Sequence, residues 1–211
     1  MNALGLACLF LFVLLLSSYA LLRFRRSRSA IPIPSFLTTL IDHPLRHRFV
    51  QPPEETSRRH GIQPGMRVLE VGPGRGTYSI AAAKAAGENG QVVAIDIEPR
   101  LVDRLKRRTF KEGVINLEVQ VGDACNLNFD KEEFDLVFMI AVFGEIPHPD
   151  RALREFHRVL RWGGILAISE LLPDPDYVPA EELIRVVTAN GFRVSEKVGN
   201  RFYYTLLSEK V

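Results

Sequence analysis

The sequence predicts an α/β fold, a doubly wound and mostly parallel sheet with helices on both faces. From Met66 onward, short apolar runs alternate with segments of helical period. A glycine-rich loop separates the first run from the first helix, and the acid Asp96 ends the second run. Alternation of strands and helices is typical of a parallel sheet, which binds ligands at the carboxyl ends of its strands.

Composition supports a globular domain with an N-terminal appendage. The chain has 211 residues, of which 46% are hydrophobic and 25% charged. A formal net charge of +2 gives no reason to expect a nucleic-acid partner. The two cysteines, Cys8 and Cys125, are far apart, and the histidines show no ligand spacing, so no disulfide and no metal site are expected. We divide the chain into residues 1–30, 31–64 and 65–211.

The segment from Ala3 to Leu22 contains no charged side chain and is predicted to be a transmembrane helix. Twenty helical residues span about 30 Å, the thickness of the hydrocarbon core of a bilayer. Arginines follow the segment and none precedes it, which predicts a single-pass anchor with the rest of the chain on the cytoplasmic face. A cleaved signal peptide is the alternative, because Ser17, Ser18 and Ala20 resemble a cleavage site.

Residues 31–64 are predicted to form a linker and a helical cap. Pro32 and Pro34 favour an extended spacer. The apolar residues from Phe36 to Leu45 recur at helical spacing, so this helix would pack on the main domain, touch lipid or cap a substrate pocket. Pro52 and Pro53 are expected to break the chain before the folded core.

The predicted elements of the main domain follow from the period of the apolar residues. Strands are predicted at residues 67–71, 91–96, 115–121, 134–140 and 165–169. Helices are predicted at residues 76–86, 99–111, 150–160 and 181–190. Residues 192–198 and 202–207 are predicted to form a terminal hairpin.

The loop from Glu70 to Gly76 has the spacing G-x-G-x-G after an acid. Glycines let a ligand approach the backbone, and the helix that follows offers free N–H groups. Asp96 lies twenty residues after Gly76, where a carboxylate can accept hydrogen bonds from ribose hydroxyls. An adenosine-bearing cofactor is therefore indicated, and the spacing differs from the dinucleotide fingerprint.

The segment VLEVGPGRGTYS resembles motif I of class I S-adenosylmethionine-dependent methyltransferases. AIDIEP, VGDA, FDLVFMIAVF and HRVLRWGG are similar to later motifs of that family, so the resemblance runs from about Gly65 to the C-terminus. The small quinone-biosynthesis-like group is the most similar. The resemblance implies S-adenosylmethionine as cofactor and a Rossmann-like, seven-stranded sheet with an antiparallel C-terminal hairpin.

The resemblance also implies roles for individual residues. Asp96 would bind the ribose hydroxyls, Ile97 would pack on the adenine, and Asp123, beside Ala124, would accept the adenine amino group. Ile140 and Ala141 would line the cofactor near its sulfur. The residues expected to hold the methionine part are Glu70, Gly72, Gly74 and Gly76.

Methyl transfer needs alignment more than an obligatory catalytic triad, because the sulfonium is already a good leaving group. Where the acceptor carries a proton, a base helps. Glu145 and His148 follow the fourth strand and are the candidate bases, although both could be solvated loop residues. Tyr78 and Glu170 are further possibilities.

The leading hypothesis is a methyltransferase for a small acceptor that is lipophilic or close to a membrane. The predicted anchor motivates it. Arsenite is disfavoured, because its methylation uses several cysteines and the core has only Cys125. Two alternatives stay open: a cofactor-binding scaffold without turnover, and a nicotinamide-dependent oxidoreductase, which the glycine spacing disfavours. The basic residues between Arg100 and Lys111 are expected to form a solvated face.

Overall fold

A computed structural model describes Phe10 and residues 51–172 and 174–211. Apart from Phe10, the predicted transmembrane helix, the spacer and the helix at residues 36–45 lie outside these ranges and stay predictions. Within the described part of the chain, no helix combines the length and the apolar character needed to cross a bilayer.

Seven strands and five helices alternate along the described residues. The strands are β1 (Arg67–Val71), β2 (Gln91–Asp96), β3 (Leu117–Val121), β4 (Phe134–Ile140), β5 (Leu160–Leu171), β6 (Phe192–Gly199) and β7 (Tyr203–Lys210). The helices are α1 (Pro53–Arg59), α2 (Thr77–Ala86), α3 (Pro99–Glu112), α4 (Pro149–Val159) and α5 (Ala180–Ala189). A short 3₁₀ helix, Phe143–Glu145, follows β4.

The strands form one sheet in the order β3-β2-β1-β4-β5-β7-β6. Strands β1 to β5 pair in parallel, and β7 runs antiparallel to both β5 and β6. The seven-stranded Rossmann-like sheet with an antiparallel C-terminal hairpin is thereby confirmed. The strand order reverses between β1 and β4, and such a switch point opens a crevice at the carboxyl edge of a sheet.

Several element boundaries differ from the sequence predictions, and three of these differences have a clear physical reason. Pro53 begins α1 instead of breaking the chain, because proline at the first helical position loses no hydrogen bond. Ile115 lies before β3 and is 94% exposed, so the predicted strand began two residues too early. Strand β5 begins at Leu160, five residues before the predicted start, and its register against β4 shifts between Phe134 and Leu136.

Both faces of the sheet are covered, so the central strands are buried on each side. Helices α4 and α5 pack on one face through residues such as Leu153 and Leu183. Helices α2 and α3 pack on the other face through Ala82 and Leu105, and α1 packs beside α2. The two layers fix the carboxyl ends of β1, β2 and β4 next to each other.

A buried polar network joins the end of α1 to β5 and β7. His60 is 1% exposed, and its Nε2 shares a hydrogen bond of 2.8 Å with the Ser169 hydroxyl. That hydroxyl shares a second hydrogen bond of 2.8 Å with Thr205. Burial lowers the pKa of His60 from 6.5 to about 3, so the imidazole is neutral in the folded protein.

This pKa predicts a loss of stability in mild acid. Below pH 6.5 the unfolded chain binds a proton at His60, whereas the folded chain binds it only near pH 3. The free energy of unfolding therefore falls as the pH falls. At about 1.4 kcal/mol per pH unit, the wild type should lose about 2 kcal/mol between pH 7 and pH 5 that a His60→Gln variant keeps. Urea denaturation at both pH values measures this, and parallel pH dependences would contradict it.

Candidate active site

A cavity of about 460 Å³ opens at the carboxyl edge of the sheet. Its walls come from the segments that follow the first four strands and from the loop after β5. The predicted site residues that line it are Glu70, Gly72, Gly74, Asp96, Ile97, Asp123, Ala124, Ile140, Ala141 and Glu145. Gly76 and His148 do not line it.

The glycine loop turns back tightly at Gly72. Its φ angle is +69°, and its N–H donates to the Ile95 carbonyl over 2.9 Å, which ties the loop to β2. A Cβ atom at this position would lie 2.6 Å from Cγ2 of Val142, in the segment after β4. Gly72 therefore brings the loops after β1 and β4 together at the cavity wall.

Gly76 has a packing role in this structure. It is the N-cap residue of α2 with φ +78°, and a Cβ there would lie 2.0 Å from Cδ1 of Leu105 on α3. Because it faces α3 instead of the cavity, the expectation that Gly76 touches the methionine part of a cofactor has no geometric support.

Glu70 places a carboxyl group in the wall at the end of β1. The residue is 3% exposed, and its Oε2 has no hydrogen-bond partner among the described residues. Burial raises the pKa of Glu70 from 4.5 to about 8, so the group holds a proton at neutral pH in this structure. An incoming cation would stabilise the ionised form.

Asp96 and Asp123 stand at the ends of β2 and β3. Oδ1 of Asp96 accepts a hydrogen bond of 2.9 Å from the Glu98 N–H, and Oδ1 of Asp123 accepts one of 2.8 Å from the Cys125 N–H. Burial raises the pKa of Asp96, and hydrogen bonds from the backbone N–H groups of Glu98 and Gly74 lower it by less than burial raises it. Both carboxylates are thus oriented by their own loops, at the same edge of the cavity.

The segment after β4 carries backbone strain. Ala141 has φ +55°, a conformation that costs a non-glycine residue energy and that is often found at functional sites. Its N–H donates to the Ser169 carbonyl over 2.8 Å, which holds the segment against β5. Glu145 lies in the 3₁₀ helix that follows and faces the cavity.

His148 lies outside the cavity, next to Arg151 and Arg154 on a separate surface depression. It is the N-cap residue of α4, and its carbonyl accepts from the buried Cys125 Sγ over 3.6 Å. Because Pro149 starts the helix, His148 ends the loop with its side chain exposed. Of the two candidate bases, the structure thus places Glu145 at the cavity and His148 outside it.

The structure brings further residues to the site. Tyr78 lines the cavity, and its hydroxyl donates to the Gln51 carbonyl over 3.2 Å, so it joins α2 to the segment before α1. Asp174 comes from the loop after β5. Glu170 is 1% exposed and does not line the cavity; its Oε2 accepts from the Val178 N–H over 3.2 Å. The motifs gave no signal for Asp174 or Gln51.

The lining fits an adenosyl sulfonium cofactor. The carboxyl group of Glu70 has an oxygen without a partner among the described residues, as a ligand ammonium group would require. Asp96 and Asp123 present carboxylates, and Ile97 and Ala124 offer apolar contacts for a planar base. The sheet order and this wall define a protein class that binds an adenosine-bearing cofactor at the switch point.

A family model described as a methyltransferase domain matches residues 62–205. The chain therefore belongs to the methyltransferase domain family. A crystal structure of a SAM-dependent methyltransferase from Aquifex aeolicus superposes with a TM-score of 0.78 and 28% identity, covering 85% of this chain and 100% of that one. These findings confirm the predicted class, the S-adenosylmethionine-dependent methyltransferases, and the predicted cofactor.

Two curated relatives differ in what they act on. The ubiquinone/menaquinone biosynthesis C-methyltransferase UbiE of Bordetella avium is 37% identical over 115 residues, which is 54% of this chain and 44% of that protein. An arsenite methyltransferase of Halobacterium salinarum is 31% identical over 120 residues, 56% of this chain and 31% of that protein. The chain spans less than half the length of these relatives.

Proposed function

We propose that this protein transfers a methyl group from S-adenosylmethionine to a small lipophilic acceptor. The observation that carries the proposal is the cavity at the switch point, which Glu70, Asp96 and Glu145 all line. Bound S-adenosylmethionine supplies a sulfonium methyl group that a nucleophile can remove in line.

The chain's own residues would hold the cofactor at three points. The Glu70 carboxyl group would ionise and pair with the ammonium group of the methionine part. It is buried, and its Oε2 has no hydrogen-bond partner among the described residues. Asp96 would accept from the ribose hydroxyls, and Asp123 would accept from the adenine amino group. Ile97, which is 59% exposed in this structure, would bury apolar surface by packing on the adenine base.

The remaining part of the cavity would hold the acceptor. Val142, Ile146 and Pro147 give it apolar walls, which suits a lipophilic ring better than a sugar or a peptide. Glu145 would accept the proton that an acceptor hydroxyl or amine releases. The name of the Bordetella avium relative, a quinone-biosynthesis C-methyltransferase, supports a quinone-like ring.

Arsenite is a less suitable acceptor. Cys125 is the free cysteine in the described part of the chain, it is buried, and its Sγ contacts the His148 carbonyl. Burial raises the pKa of the Cys125 thiol, which disfavours the thiolate that would bind arsenic. Within the described part of the chain, no thiolate is therefore expected that could bind arsenite.

We also propose that residues 1–30 anchor the protein in a membrane, with residues 65–211 as the catalytic domain on the cytoplasmic face. The uncharged segment from Ala3 to Leu22, followed by arginines, supports this placement. A membrane anchor would keep the site next to a pool of lipophilic acceptors.

The full chain, incubated with methyl-labelled cofactor and membrane lipids, tests the proposal. The label should enter a lipid-soluble ring compound that mass spectrometry identifies, and an Asp96→Ala variant should transfer at least about tenfold less, because one oriented hydrogen-bonding carboxylate is lost. Label recovered only in protein or in water-soluble compounds would contradict a lipophilic acceptor.

A further inference from the structure

Helix α3 carries an excess of positive charge on its exposed side. Its 14 residues, Pro99–Glu112, include six basic and two acidic side chains. Four of the basic residues are exposed and recur at intervals of four, three and four, so they form one row along the helix. This row, which we call the basic row, consists of Arg100, Arg104, Arg107 and Lys111.

The stability of the helix does not explain the basic row. Like charges three or four residues apart repel each other, and Arg100 stands in the first turn, where the helix dipole disfavours a cation. Within the described part of the chain, no ion pair joins the row to a carboxylate, although Asp103 is exposed beside it. Glu112, the other acid of α3, pairs with Arg108 over 2.8 Å. The row therefore presents its positive charge to the surroundings.

Two large apolar side chains are exposed at the end of the same helix. Phe110 is 90% exposed and Ile115 is 94% exposed, the two highest values among the large hydrophobic residues that the structure describes. Gly113, the C-cap residue with φ +66°, lies between them and turns the chain toward β3. Burial of such side chains is favourable. Their position at one end of a cationic row indicates a partner with both an anionic and an apolar part.

We propose that the basic row, together with Phe110 and Ile115, docks on an anionic lipid surface. Lipid head groups supply the negative charge, and the acyl boundary beneath them takes up the two apolar side chains, as it does for interfacial amphipathic helices. A nucleic acid would match the charge but would leave the aliphatic Ile115 in water. The docking depends neither on the proposed anchor at residues 1–30 nor on the identity of the acceptor.

The docked orientation would set the cavity beside the lipid. Helix α3 begins at the cavity, whose wall includes Leu101, and its 14 residues extend about 21 Å from there. A membrane along the basic row would therefore lie next to the cavity, on the side from which a lipophilic acceptor would arrive. This consequence, unlike the docking itself, rests on the proposed function.

The fluorescence of a tryptophan at position 110 tests the docking in the full chain. A Phe110→Trp/Trp162→Phe variant reports on this position alone, because Trp162 is the only tryptophan in the sequence. In vesicles of phosphatidylcholine with about 30% phosphatidylglycerol, its emission should shift to shorter wavelength, and brominated acyl chains should quench at least about half of it. Vesicles of brominated phosphatidylcholine alone should not quench it, and about 1 M salt, at which the Debye length is about 3 Å, should abolish most of the quenching by the anionic vesicles.

The wild type is the control for position. Trp162 is 64% exposed, and its ring lies 6.3 Å from that of His157 on α4, which packs on the face of the sheet opposite to α3. The anionic vesicles should therefore leave the emission of the wild type unquenched.

Paired substitutions of arginine test the role of the charge. In the reporter variant, Arg104→Gln/Arg107→Gln should lower the ratio of docked to undocked molecules about 25-fold, because each arginine contributes about fivefold to binding at an anionic surface. Arg151→Gln/Arg154→Gln is the matched control, since it removes two exposed arginines from α4, and it should leave the ratio unchanged.

Each of the following outcomes would overturn the inference. Emission from position 110 that is already at short wavelength in buffer would show that another part of the chain or a second copy covers this surface. Absent quenching, equal quenching in neutral and anionic vesicles, or quenching that survives Arg104→Gln/Arg107→Gln would exclude docking through the basic row. A shift caused by duplex DNA, without quenching by anionic vesicles, would assign the surface to nucleic acid. The proposed function is tested separately, because none of these readouts involves the cofactor.

Discussion

A Glu70→Gln variant is expected to be more stable than the wild type when no ligand is bound, and to lose cofactor binding. The folded pKa of Glu70 is about 8 and its ordinary value is 4.5. Between these values the unfolded chain gives up a proton that the folded chain keeps, so stability is full below pH 4.5 and falls as the pH rises to 8. At about 1.4 kcal/mol per pKa unit, the loss reaches up to about 5 kcal/mol.

Urea denaturation at pH 5 and pH 8, with and without S-adenosylmethionine, measures both effects. The advantage of Glu70→Gln should be small at pH 5 and largest at pH 8, and the cofactor should stabilise only the wild type, because a neutral amide cannot form an ion pair with the ligand ammonium group. A Glu118→Gln variant changes an exposed carboxylate on β3 and should show neither effect. An advantage that is independent of pH, or stabilisation of the variant by the cofactor, would contradict the account.

A Gly76→Ala variant is expected to lose about 3 kcal/mol of unfolding free energy. The φ angle of +78° strains any residue with a Cβ, which costs about 1 kcal/mol. The new Cβ would also lie 2.0 Å from Cδ1 of Leu105, which is fully buried, and overpacking of this kind costs about 1–3 kcal/mol. A Leu105→Ala substitution removes the clashing atoms, so the double variant should lose less than the sum of the single losses.

Gly74→Ala is the matched control for this cycle. Gly74 also has a positive φ, +53°, but a Cβ there would have nothing within 4 Å. It should therefore show only the strain, about 1 kcal/mol, in the same denaturation experiment. Equal losses for the two alanine variants would show that Leu105 does not restrict position 76.

Much of the fold could be predicted from local patterns of the sequence. Strands β1, β2 and β4 were predicted with the bounds that they have, because each is a short and mostly apolar run. The early start of β5 was not predictable, because Leu160 pairs with Phe134 through a shifted register that depends on the partner strand. Pro53 was misread because proline either ends a helix or begins one, and the sequence alone does not separate these roles.

The cofactor end of the site was more predictable than the acceptor end. Glu70, Asp96 and Asp123 directly end or follow parallel strands, so topology alone brings them to one edge. Asp174 reaches the cavity through the fold of the loop after β5, and Tyr78 meets Gln51 through the packing of α1 on α2. Such contacts join residues that are distant in the sequence and follow no motif. The exposed position of His148 depends on where α4 begins.

The most direct test of the account is calorimetric titration of the full chain with S-adenosylmethionine and, separately, with NADH. The wild type should bind one equivalent of S-adenosylmethionine and no NADH, and Asp96→Ala should weaken S-adenosylmethionine binding at least about tenfold, because the variant lacks the carboxylate proposed to accept from the ribose. An unchanged affinity in Asp96→Ala, or binding of NADH in place of S-adenosylmethionine, would contradict the assignment of this cavity.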